Sequence, residues 1–139
     1  MQRRKPLLLA GDCRAEWATV EEALAELGLA GSLTHMAGLD DALDYLRDVH
    51  HAVPCVVLLS VHSAGGDGLA TLRTFKADAR LRTIPLVVLA RSHDADLVSQ
   101  CFALGAAGYL VEPADCRAFA EAIRRIYNYW SLSELPHRP

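Results

Sequence analysis

The run Pro54-Cys55-Val56-Val57-Leu58-Leu59-Ser60 constrains this chain more than any other stretch. Its consecutive apolar residues show neither the 3.6 period of an amphipathic helix nor the alternation of a half-exposed strand. With Pro54 before it and Gly65, Gly66 and Gly68 after it, the run predicts a short strand buried on both faces. Strands of that kind belong to parallel sheets covered by helices on both sides. In open sheets of this type, ligands and chemistry collect at the carboxyl ends of the strands. Ser60 is therefore expected at the carboxyl end of the central strand, and the functional question is why a hydroxyl stands there.

The rest of the chain repeats the theme. Buried strands are predicted over 5–10 and 86–90, with the central one over 55–60, a weak strand over 32–37 and a short one over 108–111. Helices are predicted between and after them, over 14–27, 39–49, 69–77, 94–104 and 115–130. The first helix carries Trp17, Val20, Leu24 and Leu27 at helical spacing, and the last carries Phe119, Ile123, Ile126 and Trp130. Gly28, Gly31 and Gly105 close helices, and Pro113 stops the last strand. Five strand–helix alternations call for one α/β domain over 1–139: a flavodoxin-like, doubly wound, five-stranded parallel sheet in order 2-1-3-4-5 with five helices. Residues 131–139 are expected to be a polar tail, poorly ordered at its end.

At 139 residues, with 52% hydrophobic and 22% charged positions, the chain is long enough to bury a full core. A net charge of −3 gives no footprint for nucleic acid, and no helix-turn-helix follows residue 130. No apolar run reaches membrane-spanning length; the basic start Arg3-Arg4-Lys5 leads into an apolar run too short for a signal peptide, so a cytoplasmic location is expected. Cys13, Cys55, Cys101 and Cys116 have no metal or redox spacing and read as free thiols. His50-His51 reads as a solvated loop pair, and Trp17 as core. No glycine-rich nucleotide loop follows any strand.

Several stretches together resemble the response-regulator receiver family over about residues 5–130. Leu7-Leu8-Leu9-Ala10-Gly11-Asp12 matches the first strand and its acidic end. Val56-Val57-Leu58-Leu59-Ser60 matches the strand that presents the phosphoacceptor, and Asp67-Gly68 the turn beyond it. The run from Ala79 through Thr83-Ile84-Pro85 to Leu89 matches the entry into strand four. Gly105-Ala106-Ala107-Gly108-Tyr109-Leu110-Val111-Glu112-Pro113 matches the family's "GAxGYLxKP" ending. The aromatic end of the last helix (Tyr127, Tyr129, Trp130) is similar to that of stand-alone regulators paired with bacterial phytochromes.

The resemblance implies a phosphorylation site, and the positions that would form it are altered. The nucleophile position holds Ser60, and the motif places no histidine base beside it. The acidic pair is Gly11 and Asp12, the hydroxyl position is Ala90, and the lysine position is Glu112. The implied protein is a pseudo-receiver of two-component signalling: no enzyme, no catalytic residues, no cofactor, and Mg2+ without its usual ligands. Three arrangements of the pocket remain open. Arg91 could neutralise Glu112, or the Ser60 hydroxyl could donate to it, or Asp12 and Glu112 with the His62 carbonyl could hold a hard cation. The first two are preferred to a metal.

Tyr109 is expected either turned inward over the space left by Ala90 or half-exposed at the strand edge. The resemblance also implies a contact face on the fourth helix, fifth strand and fifth helix, offering Leu97, Tyr109, Arg117, Arg124, Tyr127 and Trp130. Through it the protein would form a homodimer and bind a histidine kinase or another response regulator, with neither nucleic acid nor membrane as partner. The competing functions are a phosphorylated switch with shifted chemistry, and a sensor of a metal or small ligand in the pocket of Asp12, Ser60 and Glu112.

Overall fold

The computed structural model describes residues 5–62 and 67–134. Most of the glycine-rich segment after Ser60, the extreme N-terminus and the end of the tail lie outside the described residues. Elements run β1 (Leu7–Ala10), α1 (Arg14–Glu26), β2 (Leu33–Met36), α2 (Leu39–Arg47), β3 (Val56–Ser60), α3 (Gly68–Ala77), β4 (Leu86–Ala90), α4 (Ala95–Ala103), β5 (Gly108–Val111) and α5 (Cys116–Leu132). The five strands form one parallel sheet in the order β2-β1-β3-β4-β5, as the alternating pattern requires. A short 3-10 turn, Ala30–Ser32, precedes β2; three residues are too few to carry a period. The helix α5 runs two residues beyond its expected end, into Leu132.

The sheet is sandwiched between two cores whose members alternate along each strand. Leu8, Ala10, Val57, Leu59, Leu86 and Val88 pack with Leu39, Leu43, Leu72 and Phe75 of α2 and α3. Leu7, Leu9, Val56, Leu58, Val87 and Leu89 pack with Val20, Leu24, Phe119 and Ile123 of α1 and α5. The strands β1, β3 and β4 are buried at every position, which explains their unbroken apolar runs. Asp67, Asp94 and Asp115 cap α3, α4 and α5, the first two accepting from two backbone N–H groups of the first turn and Asp115 from that of Arg117.

The long α5 is tied back to the start of the sheet. The Tyr127 hydroxyl donates to the Lys5 carbonyl at 2.6 Å, and the Lys5 ammonium donates to the Ser133 carbonyl at 3.0 Å. Tyr127 is therefore buried and does not belong on a contact face: it lies one helical turn beyond Ile123, on the stripe that faces the sheet. Arg124 reaches across to Glu26 of α1 and to Glu121, and Arg117 lines the groove between α1 and α5 with Thr19 and Glu22. Arg124 is thus engaged on the α1 side of α5 rather than on the side expected.

Candidate site at the carboxyl ends of the strands

The carboxyl ends of β1, β3, β4 and β5 converge, and hydrogen bonds hold them in place. Gly11 follows β1 and donates its N–H to the Met36 carbonyl, while its own carbonyl lies 2.8 Å from His35 Nε2. His35 is stacked on Trp17, so the end of β1 is clamped by β2 and α1. Val61 N–H reaches the Leu89 carbonyl, and Glu112 N–H reaches the Ala90 carbonyl at 2.8 Å. Those two bonds fix His62 and Glu112 at neighbouring strand ends.

Ser60 is fully buried. It continues the alternation of Val56 and Leu58 and so faces the side covered by α1 and α5. Gly11 sits against it at φ +148°, and a Cβ added at Gly11 would come within 2.6 Å of the Ser60 Cβ. The backbone at this point has room for Ser60 or for a side chain at position 11, but not for both.

The Ser60 hydroxyl meets the His62 ring, 3.3 Å from Nε2 and 3.5 Å from Nδ1, so a histidine does stand beside the serine. The expectation of no neighbouring base fails because His62 was read only for its backbone carbonyl. The arrangement is not a nucleophile–base–acid relay, in which hydroxyl and acid take opposite ring nitrogens. Here Glu16 Oε2 lies 2.7 Å from Nε2, the nitrogen that is also the nearer to Ser60.

Glu16 is the residue that the sequence reading missed. It lies in the first turn of α1, four residues before Val20, and its side chain is only 3% exposed. Glu112 approaches from β5, with Oε1 3.9 Å from His62 Nε2 and its side chain mostly buried. Among the described residues, both Glu16 oxygens and Glu112 Oε1 are buried with no hydrogen-bond donor from outside their own cluster; Glu16 Oε2 lies at ion-pair distance from His62, and the two carboxyls can share a hydrogen bond when one is protonated. Burial first, then a hydrogen bond shared with the Glu16 carboxyl and the charge of Glu16 push Glu112 up to about 8, opposed by His62 and, more weakly, Arg91. The protonated form of Glu112 is thereby favoured in the metal-free pocket.

The expected partners of Glu112 are not the ones found. Arg91 is exposed, directs Nη2 to Cys13 Sγ at 3.9 Å, and forms no ion pair with Glu112. The Ser60 hydroxyl meets His62 instead of Glu112. Asp12 is exposed and stands outside the group of Glu16, His62 and Glu112, whose ligand atoms all lie within 4.8 Å of one another. Ala90 is buried; Tyr109, paired with Val88 in the sheet, is half-buried, its hydroxyl donating to the Ser92 carbonyl at 3.2 Å. Leu97 and Trp130 are half-buried against the two cores. His51 stacks on Tyr45 and is exposed. Among the described residues no helix is long and apolar enough to cross a membrane.

No protein-family model matches the sequence. Individual relatives do. The chain is 30% identical over 128 residues to a probable methanogenesis regulatory protein, FilR2, of Methanothrix harundinacea, covering 89% of this chain and 82% of that one. It is 27% identical over 133 residues to the response regulator Rcp1 of Synechocystis, covering 91% and 88%. A solved structure of the Mn2+-bound form of response regulator Rcp1 superposes with a TM-score of 0.82. The phosphorylated cyanobacterial phytochrome response regulator RcpA superposes with a TM-score of 0.88 at 26% identity, over 97% of this chain and all of that one.

Proposed function

The chain belongs to the response-regulator receiver family of two-component signalling, and we propose that it works there as a pseudo-receiver that binds other signalling proteins without being phosphorylated. The observation that carries this reading is the charge at the strand ends. A receiver must accept an anion there, and the buried groups in this chain are the carboxyls of Glu16 and Glu112. A phosphoryl charge about 4 Å from a carboxyl of this pair is opposed by roughly 4 kcal/mol at an effective dielectric of 20 once that carboxyl ionises, and in its protonated form the carboxyl still supplies none of the positive charge that would neutralise a phosphoryl group. In this reading Glu112 replaces the lysine that would neutralise the phosphoryl group, Ala90 replaces the hydroxyl that would bind it, and the buried Ser60 replaces the acceptor.

The reading makes the protein a binding module whose partners are a histidine kinase or another response regulator, and which pairs with itself through α4, β5 and α5. Leu97, Tyr109 and Trp130 contribute half-buried surface to those elements, and Phe102 of α4 and Tyr129 of α5 are exposed aromatics. Aromatic side chains of this kind are favoured at the centres of interfaces. Sedimentation equilibrium with and without acetyl phosphate and Mg2+ tests it. The expected result is the same dimer under both conditions. A monomer at every concentration, or association only with the phosphodonor, would overturn the interaction reading.

A further inference from the structure

We propose that Glu16, His62 and Glu112 form a site for one divalent transition-metal ion of the Zn2+ or Mn2+ class. The three ligands come from α1, from the residue two beyond Ser60 and from the residue just after β5, so an ion would join three separate elements at the carboxyl end of the sheet. The inference goes beyond the pseudo-receiver reading and does not depend on it. Phosphorylation of the chain would defeat that reading and leave this one standing.

Three observations carry the site. The first is the unmet bonding capacity: Glu16 is 2% exposed, and among the described residues neither its oxygens nor Glu112 Oε1 meet a hydrogen-bond donor from outside the three-residue cluster. Buried carboxylates are retained when paired or bound to a metal. The second is spacing. A tetrahedral ion bonded at about 2.0–2.1 Å has its ligands roughly 3.3 Å apart. The Glu16–His62 and His62–Glu112 distances of 2.7 Å and 3.9 Å lie on either side of that value, so small side-chain adjustments suffice. The third is charge: binding an ion displaces the proton from Glu112, after which two carboxylates and one divalent cation sum to zero, and among the described residues no arginine or lysine forms an ion pair with either carboxyl.

The ligand set selects the class of ion. An imidazole nitrogen suits Zn2+ and its neighbours, and carboxylates suit Mn2+ as well. Mg2+ and Ca2+ favour oxygen ligands throughout. Three protein ligands also leave a coordination position open for water. Asp12, the acidic residue expected to hold a cation, is not one of the three.

The test uses the full chain stripped of metal with a chelator, then titrated with Zn2+, Mn2+, Co2+ and, for contrast, Mg2+. Calorimetry and thermal unfolding follow binding, and the visible absorption of bound Co2+ reports its coordination. The expected result is one transition-metal ion per chain, a rise in Tm, and loss of affinity by more than about tenfold in Glu16→Gln and in Glu112→Gln. Asp12→Asn should bind as the parent does. Glu16→Gln is isosteric, and the more exposed Glu112→Gln provides a second variant if the first does not fold, with circular dichroism as the check. No binding of any transition metal would overturn the proposal. So would binding that survives Glu16→Gln and Glu112→Gln, or that is lost in Asp12→Asn.

Discussion

The middle of the sheet and its carboxyl end obey different rules. In the middle, β1, β3 and β4 bury every side chain, and nearly all are aliphatic and matched to the two flanking cores. At the carboxyl end of the sheet, on α1 and just after β5, three carboxylate oxygens are buried with no hydrogen-bond donor from outside their own cluster among the described residues. Folding accounts for the first region, because each apolar side chain there gains about 25 cal/mol for every Å2 it removes from water. It does not account for the second, where burial of polar groups opposes folding. Residues that cost stability where their neighbours supply it mark the part of the molecule shaped by something other than folding.

The largest change to this contrast comes from putting back an acidic residue after β1. Gly11→Asp places a Cβ 2.6 Å from the Ser60 Cβ at a φ of +148°. The expected loss is about 2–4 kcal/mol in chemical denaturation. A neutral result would mean that the end of β1 is far looser than its bonds to β2 imply.

A smaller effect isolates the carboxyl pair. In the metal-free protein Glu112 holds its proton up to about 8, against 4.5 for an ordinary glutamate. Between these values the folded chain carries a proton that the unfolded chain has released, so stability falls as pH rises across that window and levels off above it. Its contribution is complete below the unfolded value and gone once pH passes the folded one. Wild type should lose about 1–3 kcal/mol between pH 5 and pH 9, allowing for partial solvent screening, and Glu112→Gln should lose less. Equal pH slopes in the two proteins would show that Glu112 ionises normally.

The contrast also explains what could be read without the structure. The sheet was legible because unbroken apolar runs have few other uses, and its strand order follows from the alternation with helices. Ser60, Ala90 and Glu112 were legible for the same reason, since each stands at or just beyond a readable strand end. Glu16 was not, because an acidic residue in the first turn of a helix is ordinarily solvated and favoured by the helix dipole. Its spacing four residues before Val20 was the available signal. The ring of His62 was hidden because spacing does not say where a loop side chain points. Tyr127 was misassigned although its i+4 relation to Ile123 put it on the buried stripe.

The central claim is that a strand end lined with the chain's own carboxyls takes no phosphoryl group. Intact mass after incubation with acetyl phosphate and Mg2+, beside a phosphorylatable receiver as positive control, tests it most directly. The account predicts an unchanged mass for this chain while the control gains one phosphoryl group. A phosphorylated product would contradict it, and locating the group would show whether Ser60 or another residue carries the chemistry.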